Sequence, residues 1–150
     1  MPSSYLIQNG KIYDGLGGEG YSGSVWILDG KIEKINPSPD EYPSDVQVID
    51  ATGLWVMPGF IDIHTHYDAE VEIAPELSES VRHGVTTIVM GSCGLSMVMG
   101  DPDELCDMFT RVEGLPSDYI KSVIRRAKNW NSPQSYLEHL ESLPLGPNVA

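Results

Sequence analysis

The stretch from Phe60 to Met90 limits the fold more than any other part of this chain. Phe60-Ile61-Asp62-Ile63-His64 reads as a short strand with apolar residues on one face. Pro75 to His83 carries a helical pattern and runs into Gly84, a residue suited to the left-handed turn that closes a helix. Val85-Thr86-Thr87-Ile88-Val89-Met90 is β-branched and nearly continuous, as a buried strand of a parallel sheet is. Strand, helix, strand in this order predicts a parallel α/β fold. Three more helices are expected: Asp101-Pro102 to about Val112, Ser117 to Lys128, and Ser132 to Ser142. Pro144, Gly146 and Pro147 break the last, and Asn148-Val149-Ala150 opens a further strand.

The residues before this region read differently. Tyr5 to Gln8 is a short apolar strand, Asn9-Gly10 a tight-turn signal, and Lys11 to Tyr13 the strand expected to pair back. Ser24 to Leu28, the Asp29-Gly30 turn and Lys31 to Ile35 predict a second hairpin, and Gln47 to Asp50 another strand. Leu54 to Gly59 reads as a hinge, which divides the chain into residues 1–58 and 59–150. The strands of the first part are too few to bury a core of their own, and partners from elsewhere in a longer chain are expected.

Composition narrows the function classes. The chain has 22 acidic and 9 basic residues, a formal net charge of −13. Such a charge repels nucleic acid and anionic membranes. Its densest basic group, Arg125, Arg126 and Lys128, is expected to be a solvated helix face. The start Met1-Pro2-Ser3-Ser4-Tyr5 has neither a basic nor an apolar region of a secretory signal. Val85 to Met99 is too short and too polar to span a bilayer. Two cysteines, Cys93 and Cys106, make no disulfide framework, so a reducing cytoplasm is the expected compartment.

The chemistry concentrates at the end of the Phe60 strand. Side chains alternate along a strand, so Ile61, Ile63 and Thr65 share one face and Asp62, His64 and His66 the other. Two imidazoles two residues apart can converge on one cation. An isolated His-x-His is more often a pair of ordinary hydrogen-bonded residues. An apolar strand that follows Pro58-Gly59 and ends in the pair favours metal binding. Cys93 lies just past the C-terminal end of the Val85 strand, between Gly91 and Gly94, and a thiolate is a good zinc ligand. The competing reading is a reduced loop cysteine without a catalytic role. Cys106, inside a helical pattern, is read as packing. Asp62 either orients an imidazole from behind or is a satisfied structural acid; Asp68, two residues past His66, is a candidate to face the site. His83, before the helix-ending glycine, is read as structural, and His139 as solvent-facing.

The run Val56-Met57-Pro58-Gly59-Phe60-Ile61-Asp62-Ile63-His64-Thr65-His66 resembles the first barrel strand of the amidohydrolase superfamily. His64-Thr65-His66-Tyr67-Asp68, His83-Gly84-Val85-Thr86-Thr87 and Gly91-Ser92-Cys93-Gly94 are similar to the N-acyl-D-amino-acid deacylase branch, the D-aminoacylases, although Ser92 stands where that branch usually has Asn. The resemblance implies the first part, about three units, of a (βα)8 TIM barrel, preceded by a partial β-sandwich. It implies one or two zinc ions held in part by His64, His66 and Cys93. It implies hydrolysis of a small-molecule N-acyl-D-amino acid to a carboxylate and a D-amino acid. Two alternatives stay open: a cyclic-amide hydrolase like hydantoinase or dihydroorotase, and a non-catalytic assembly protein of the same fold. A full barrel needs roughly 250 residues. The later histidines and the general base are therefore expected outside these 150 residues, and the chain alone is expected to be inactive and prone to self-association. His64, His66 and Cys93 are expected to lie within roughly 4 to 8 Å of each other, given metal–ligand bonds of about 2.0–2.3 Å.

Overall fold

The computed structural model describes residues 3–150, so the reading of Met1-Pro2 lies outside it. The fold is mixed α/β, in two compact units, Met1–Pro58 and Gly59–Ala150.

The first unit is a sheet of β1 (Ser4–Ile12), β2 (Tyr21–Leu28), β3 (Lys31–Ile35), β4 (Gln47–Asp50) and β5 (Trp55–Val56). Its order is β3-β2-β1-β4, with β5 also on β1. The β2–β3 hairpin closes through Asp29 and Gly30, both at positive φ (48° and 76°), as the Asp-Gly signal predicts. Asn9-Gly10, by contrast, is no hairpin turn, and Lys11 to Tyr13 is no separate strand. Asn9 does take the left-handed conformation (φ 64°), but the chain runs straight on. The β1–β2 register jumps from Ile7 opposite Val25 to Gly10 opposite Gly23. Two residues of β1 thus face one of β2, which is a bulge. Turn and bulge both need a residue that tolerates positive φ, so the local signal is the same. Tertiary contacts decide. Asn9 Nδ2 donates to Asp50 Oδ1 at 3.0 Å, and a Cβ on Gly10 would lie 2.5 Å from Val56 Cγ2. Asn9 and Gly10 therefore sit where β1 passes from β4 to β5 as its neighbour.

The second unit holds a parallel sheet of β6 (Phe60–Asp62), β7 (Val85–Ile88) and β8 (Asn148–Val149), in the order β6-β7-β8. Its helices are α1 (Ser78–Arg82), α2 (Pro102–Glu113), α3 (Ser117–Ala127) and α4 (Pro133–Ser142). α1 starts later than its pattern suggests. Ala74 and Leu77 close a turn first, and Leu77 adopts φ 41° while burying its side chain. α2 starts where expected because Asp101 and Glu104 form a reciprocal capping box, with Pro102 at the first position. Ser132 and Ser135 do the same for α4.

The faces that α2 and α3 bury follow helical spacing: Leu105, Cys106 and Phe109 on one, Ile120, Val123 and Ile124 on the other. Most of these join Leu77, Ile88, Met97, Trp130, Tyr136 and Leu140 in the core of the unit. Each fully buried aliphatic or aromatic side chain there contributes about 1.5–3 kcal/mol of transfer free energy. His139 is not on a solvent face. It follows the buried Tyr136 by three residues and precedes the buried Leu140, which turns it to the edge of the core. Its Nε2 lies 2.9 Å from Glu72 Oε1, and its ring 4.6 Å from that of Trp130. Among the described residues no helix is long and apolar enough to cross a membrane.

Candidate metal centre

The site stands at the C-terminal end of β6 and β7. Two close approaches hold these strands together. Gly59 lies against Thr86, where a Cβ would fall 2.1 Å from the Thr86 Oγ1, so the residue before β6 has no room for a side chain. Past the end of β6, the Thr65 amide and hydroxyl both donate to the Val89 carbonyl, at 3.1 and 2.8 Å. Thr65 is thereby buried, although Ile61 and Ile63 before it are exposed. Regular pleating ends at Asp62, and the anchoring of Thr65 sets the course of the chain through His64 and His66.

The histidine rings stand edge to face, their centroids 5.3 Å apart. Cys93 arrives from the loop after β7. Gly91, Cys93 and Gly94 all take positive φ (73°, 57° and 74°). Glycine does this freely, whereas a cysteine there carries a conformational cost of order 1–3 kcal/mol that its surroundings must offset. The tight turn brings Cys93 Sγ to 3.2 Å from His64 Nε2. One donor atom each from His64, His66 and Cys93 lies within 4.8 Å of the others. Donors of a tetrahedral zinc site, bonded at about 2.0–2.3 Å, stand roughly 3.3–3.8 Å apart. The cluster fits such an ion after small side-chain movements. A second feature agrees: His66 Nδ1 is buried without a hydrogen-bond partner among the described residues.

The two acids sit differently. Asp62 lines the site, and its carboxylate accepts from the His64 amide at 3.1 Å, ordering the backbone between them. Asp68 is buried and turned away from the cleft, accepting from the amides of Gly91 (3.2 Å) and Met97 (3.3 Å). Burial pushes its carboxyl above the usual range, while these two amides act the other way. Cys106 is buried beside the Ser117 carbonyl, and His83 caps the end of α1.

A cleft of about 610 Å³ opens beside the donors, walled by residues that include Tyr67, Glu70, Ile73, Glu113 and Leu115. Partial burial raises the carboxyl of Glu70. No sequence pattern singles out Glu70 or Glu113, because only the folding of the chain brings Glu113, the last residue of α2, to the wall of the same cleft as the histidines.

The protein Rv2913c of Mycobacterium tuberculosis is 42% identical over 145 residues, 97% of this chain and 24% of its own length. A crystal structure of D-aminoacylase superposes with a TM-score of 0.74 at 26% identity, over 97% of this chain and 28% of that one. N-acyl-D-glutamate deacylase from Bordetella bronchiseptica, solved with zinc and a phosphonate mimic of the tetrahedral intermediate, superposes with a TM-score of 0.69 at 25% identity, with the same coverage. This chain thus spans about a quarter of the length of each. The model of the family described as "Amidohydrolase family" matches residues 47–139, and the chain belongs to that family.

Proposed function

We propose that His64, His66 and Cys93 hold zinc, as one or two ions, in a hydrolase that cleaves linear N-acyl-D-amino acids into a carboxylate and a D-amino acid. The convergence of two imidazoles and a thiol within 4.8 Å carries this reading. Likeness over 97% of the chain to a D-aminoacylase and to a zinc-containing N-acyl-D-glutamate deacylase supports the substrate class. The parallel β6-β7-β8 sheet with its helices suits the first three units of a (βα)8 barrel, and residues 1–58 suit a partial β-sandwich. The two free cysteines suit a reducing cytoplasm.

When bound, zinc supplies Lewis-acid activation of an amide carbonyl and of water. Cys93 would ligate zinc as the thiolate, its thiol proton being released to solvent on binding. The Asp62 carboxylate holds the His64 amide and so orders the backbone that carries the ring. The open cleft beside Tyr67 and Glu70 is the space for the acyl amide. The acid–base role is assigned to a later barrel strand of a longer relative, so the 150 residues alone are expected not to turn over. The exposed Phe60, Ile61 and Ile63 favour self-association of the isolated chain.

Two measurements test the proposal. Cobalt titrated into the purified chain should give a thiolate-to-metal charge-transfer band that Cys93→Ser removes. No cobalt uptake would sink the metal assignment and favour the assembly reading. For the substrate, this chain replaces the matching segment of D-aminoacylase, and release of free amino acid from N-acetyl-D-amino acids is followed. Activity that disappears with Cys93→Ser is expected. Ring opening of hydantoins in place of amide hydrolysis would favour the cyclic-amide reading. Turnover by the 150-residue chain alone would refute the claim that it is only part of a site.

A further inference from the structure

Asp68 is almost fully buried, at 1% exposure, and is not among the residues that wall the cleft beside the histidines. One of its carboxylate oxygens accepts from the Gly91 amide at 3.2 Å and the other from the Met97 amide at 3.3 Å. These residues are the two ends of the loop that carries Cys93. Asp68 itself is two residues beyond His66, on the segment that carries both histidines. One side chain therefore ties the two arms of the candidate site together. Within the loop, the Leu95 amide donates to the Ser92 carbonyl at 2.9 Å, closing the turn around Cys93. Trp130 Nε1 donates to the Met97 carbonyl at 2.8 Å and fixes the far end from the core side. Among the described residues, only Asp68 hydrogen-bonds the Gly91 amide, and Gly91 has no side chain to pack and sits at positive φ.

A buried carboxylate is costly unless its oxygens are satisfied. The backbone amides of a loop are the partners it has here. In return the loop gains two hydrogen bonds to a carboxylate, a stronger kind of acceptor than a neutral oxygen, at 3.2 and 3.3 Å. They oppose the cost of holding Cys93 at φ 57°.

We propose that Asp68 is a positioning residue for Cys93: its carboxylate clamps both ends of the Gly91–Met97 loop and so sets the sulfur against His64 and His66. This rests on the metal reading above only for its consequence, which is that Asp68 governs thiolate coordination without touching the metal. Partners at this remove from a metal typically change its affinity by roughly 10–100-fold.

The test uses the 150-residue chain, as wild type, Asp68→Asn and Asp68→Ala, with Trp130→Phe as a loop control. Cobalt affinity should fall by roughly 10–100-fold in both Asp68 variants, with a weakened thiolate charge-transfer band, while far-ultraviolet circular dichroism keeps its helical signal. Trp130→Phe, which leaves the Gly91 end clamped, should keep the band. Wild-type cobalt affinity and an undiminished band in Asp68→Ala would overturn the proposal and leave the metal reading standing. If the wild type takes up no cobalt, the metal reading fails, and hydrogen exchange of the Gly91 and Met97 amides decides about Asp68. Faster exchange at both in Asp68→Asn supports the clamp, and unchanged exchange overturns it. Loss of the helical signal in both Asp68 variants assigns the residue to folding alone and also overturns it.

Discussion

Cys93 Sγ lies 3.2 Å from His64 Nε2, across 29 residues of sequence. The same cysteine is exposed, whereas Cys106 is buried in the core. A disulfide reagent should therefore label one thiol quickly and the other only on unfolding. Cys93→Ser should remove the fast phase and Cys106→Ser should leave it. Zinc should slow the fast phase by occupying the sulfur. Equal labelling of both cysteines in the native chain would contradict this placement.

Gly59 joins the site to the sheet. A Cβ there would sit 2.1 Å from Thr86 Oγ1 and 2.2 Å from its Cγ2. Gly59→Ala should destabilise the second unit by about 1–3 kcal/mol, the usual cost of overpacking. Thr86→Ser, by removing Cγ2, one of the three clashing Thr86 atoms, should recover part of the loss in the double variant. Thermal unfolding of the two single variants and the double variant measures this directly.

Phe109 of α2 is fully buried in the core of the second unit. Phe109→Ala should cost about 3–5 kcal/mol, because the cavity it leaves is walled by several elements that cannot all collapse inward. Urea unfolding of the chain should show the midpoint falling with little change in slope. A loss below about 1 kcal/mol would mean that this core is not packed as described.

Tyr136 buries its hydroxyl without a hydrogen-bond partner among the described residues. Burial pushes the phenol far above its ordinary 10.0, helped by the negative charges of Asp68 and Glu72. A group whose folded value is raised stabilises fully below its unfolded value and loses that contribution as pH rises beyond it. The folded chain should therefore lose stability above pH 10.0, where the unfolded phenol ionises freely. Tyr136→Phe should be neutral or stabilising by up to about 1–3 kcal/mol at neutral pH. It should also flatten the alkaline limb of the stability profile.

Asp103 at the start of α2 binds Lys121 of α3 at 2.9 Å and Arg125 at 3.0 Å. The Lys121 hydrogen bond above all, with the charge of Arg125, holds its carboxyl below the ordinary 3.8. A lowered folded value means that the unfolded state binds more protons in acid. The contribution is present in full above 3.8 and disappears as pH falls through the lowered value. All three side chains are well exposed, so the effect is small and screened. Asp103→Asn should lower the melting temperature slightly at neutral pH. The difference should vanish in strong acid and in about 1 M salt, where the Debye length is about 3 Å. A difference that persists in acid would point to the capping box next to it instead.

What the sequence by itself determined is local. Period and propensity mark β2, β3, β4 and β7, and capping residues mark the starts of α2 and α4, because each of these signals acts within one turn or one pleat. His64, His66 and Cys93 stand out on the same ground, as ligand-type residues at the ends of two adjacent parallel strands. Tertiary structure decided the rest. Asn9 accepts positive φ in a turn or a bulge alike, and only the partner strands and Asp50 select the bulge. Leu77 gives up the start of α1 to bury its side chain. His139 pairs with Glu72 across 67 residues, and Asp68 reaches Gly91 and Met97 across 23 and 29. A carboxylate cannot carry in its own neighbourhood the address of an amide that far along the chain. Its partner is settled when the core closes and removes water, since a buried oxygen must then take whichever donor the packing brings to it.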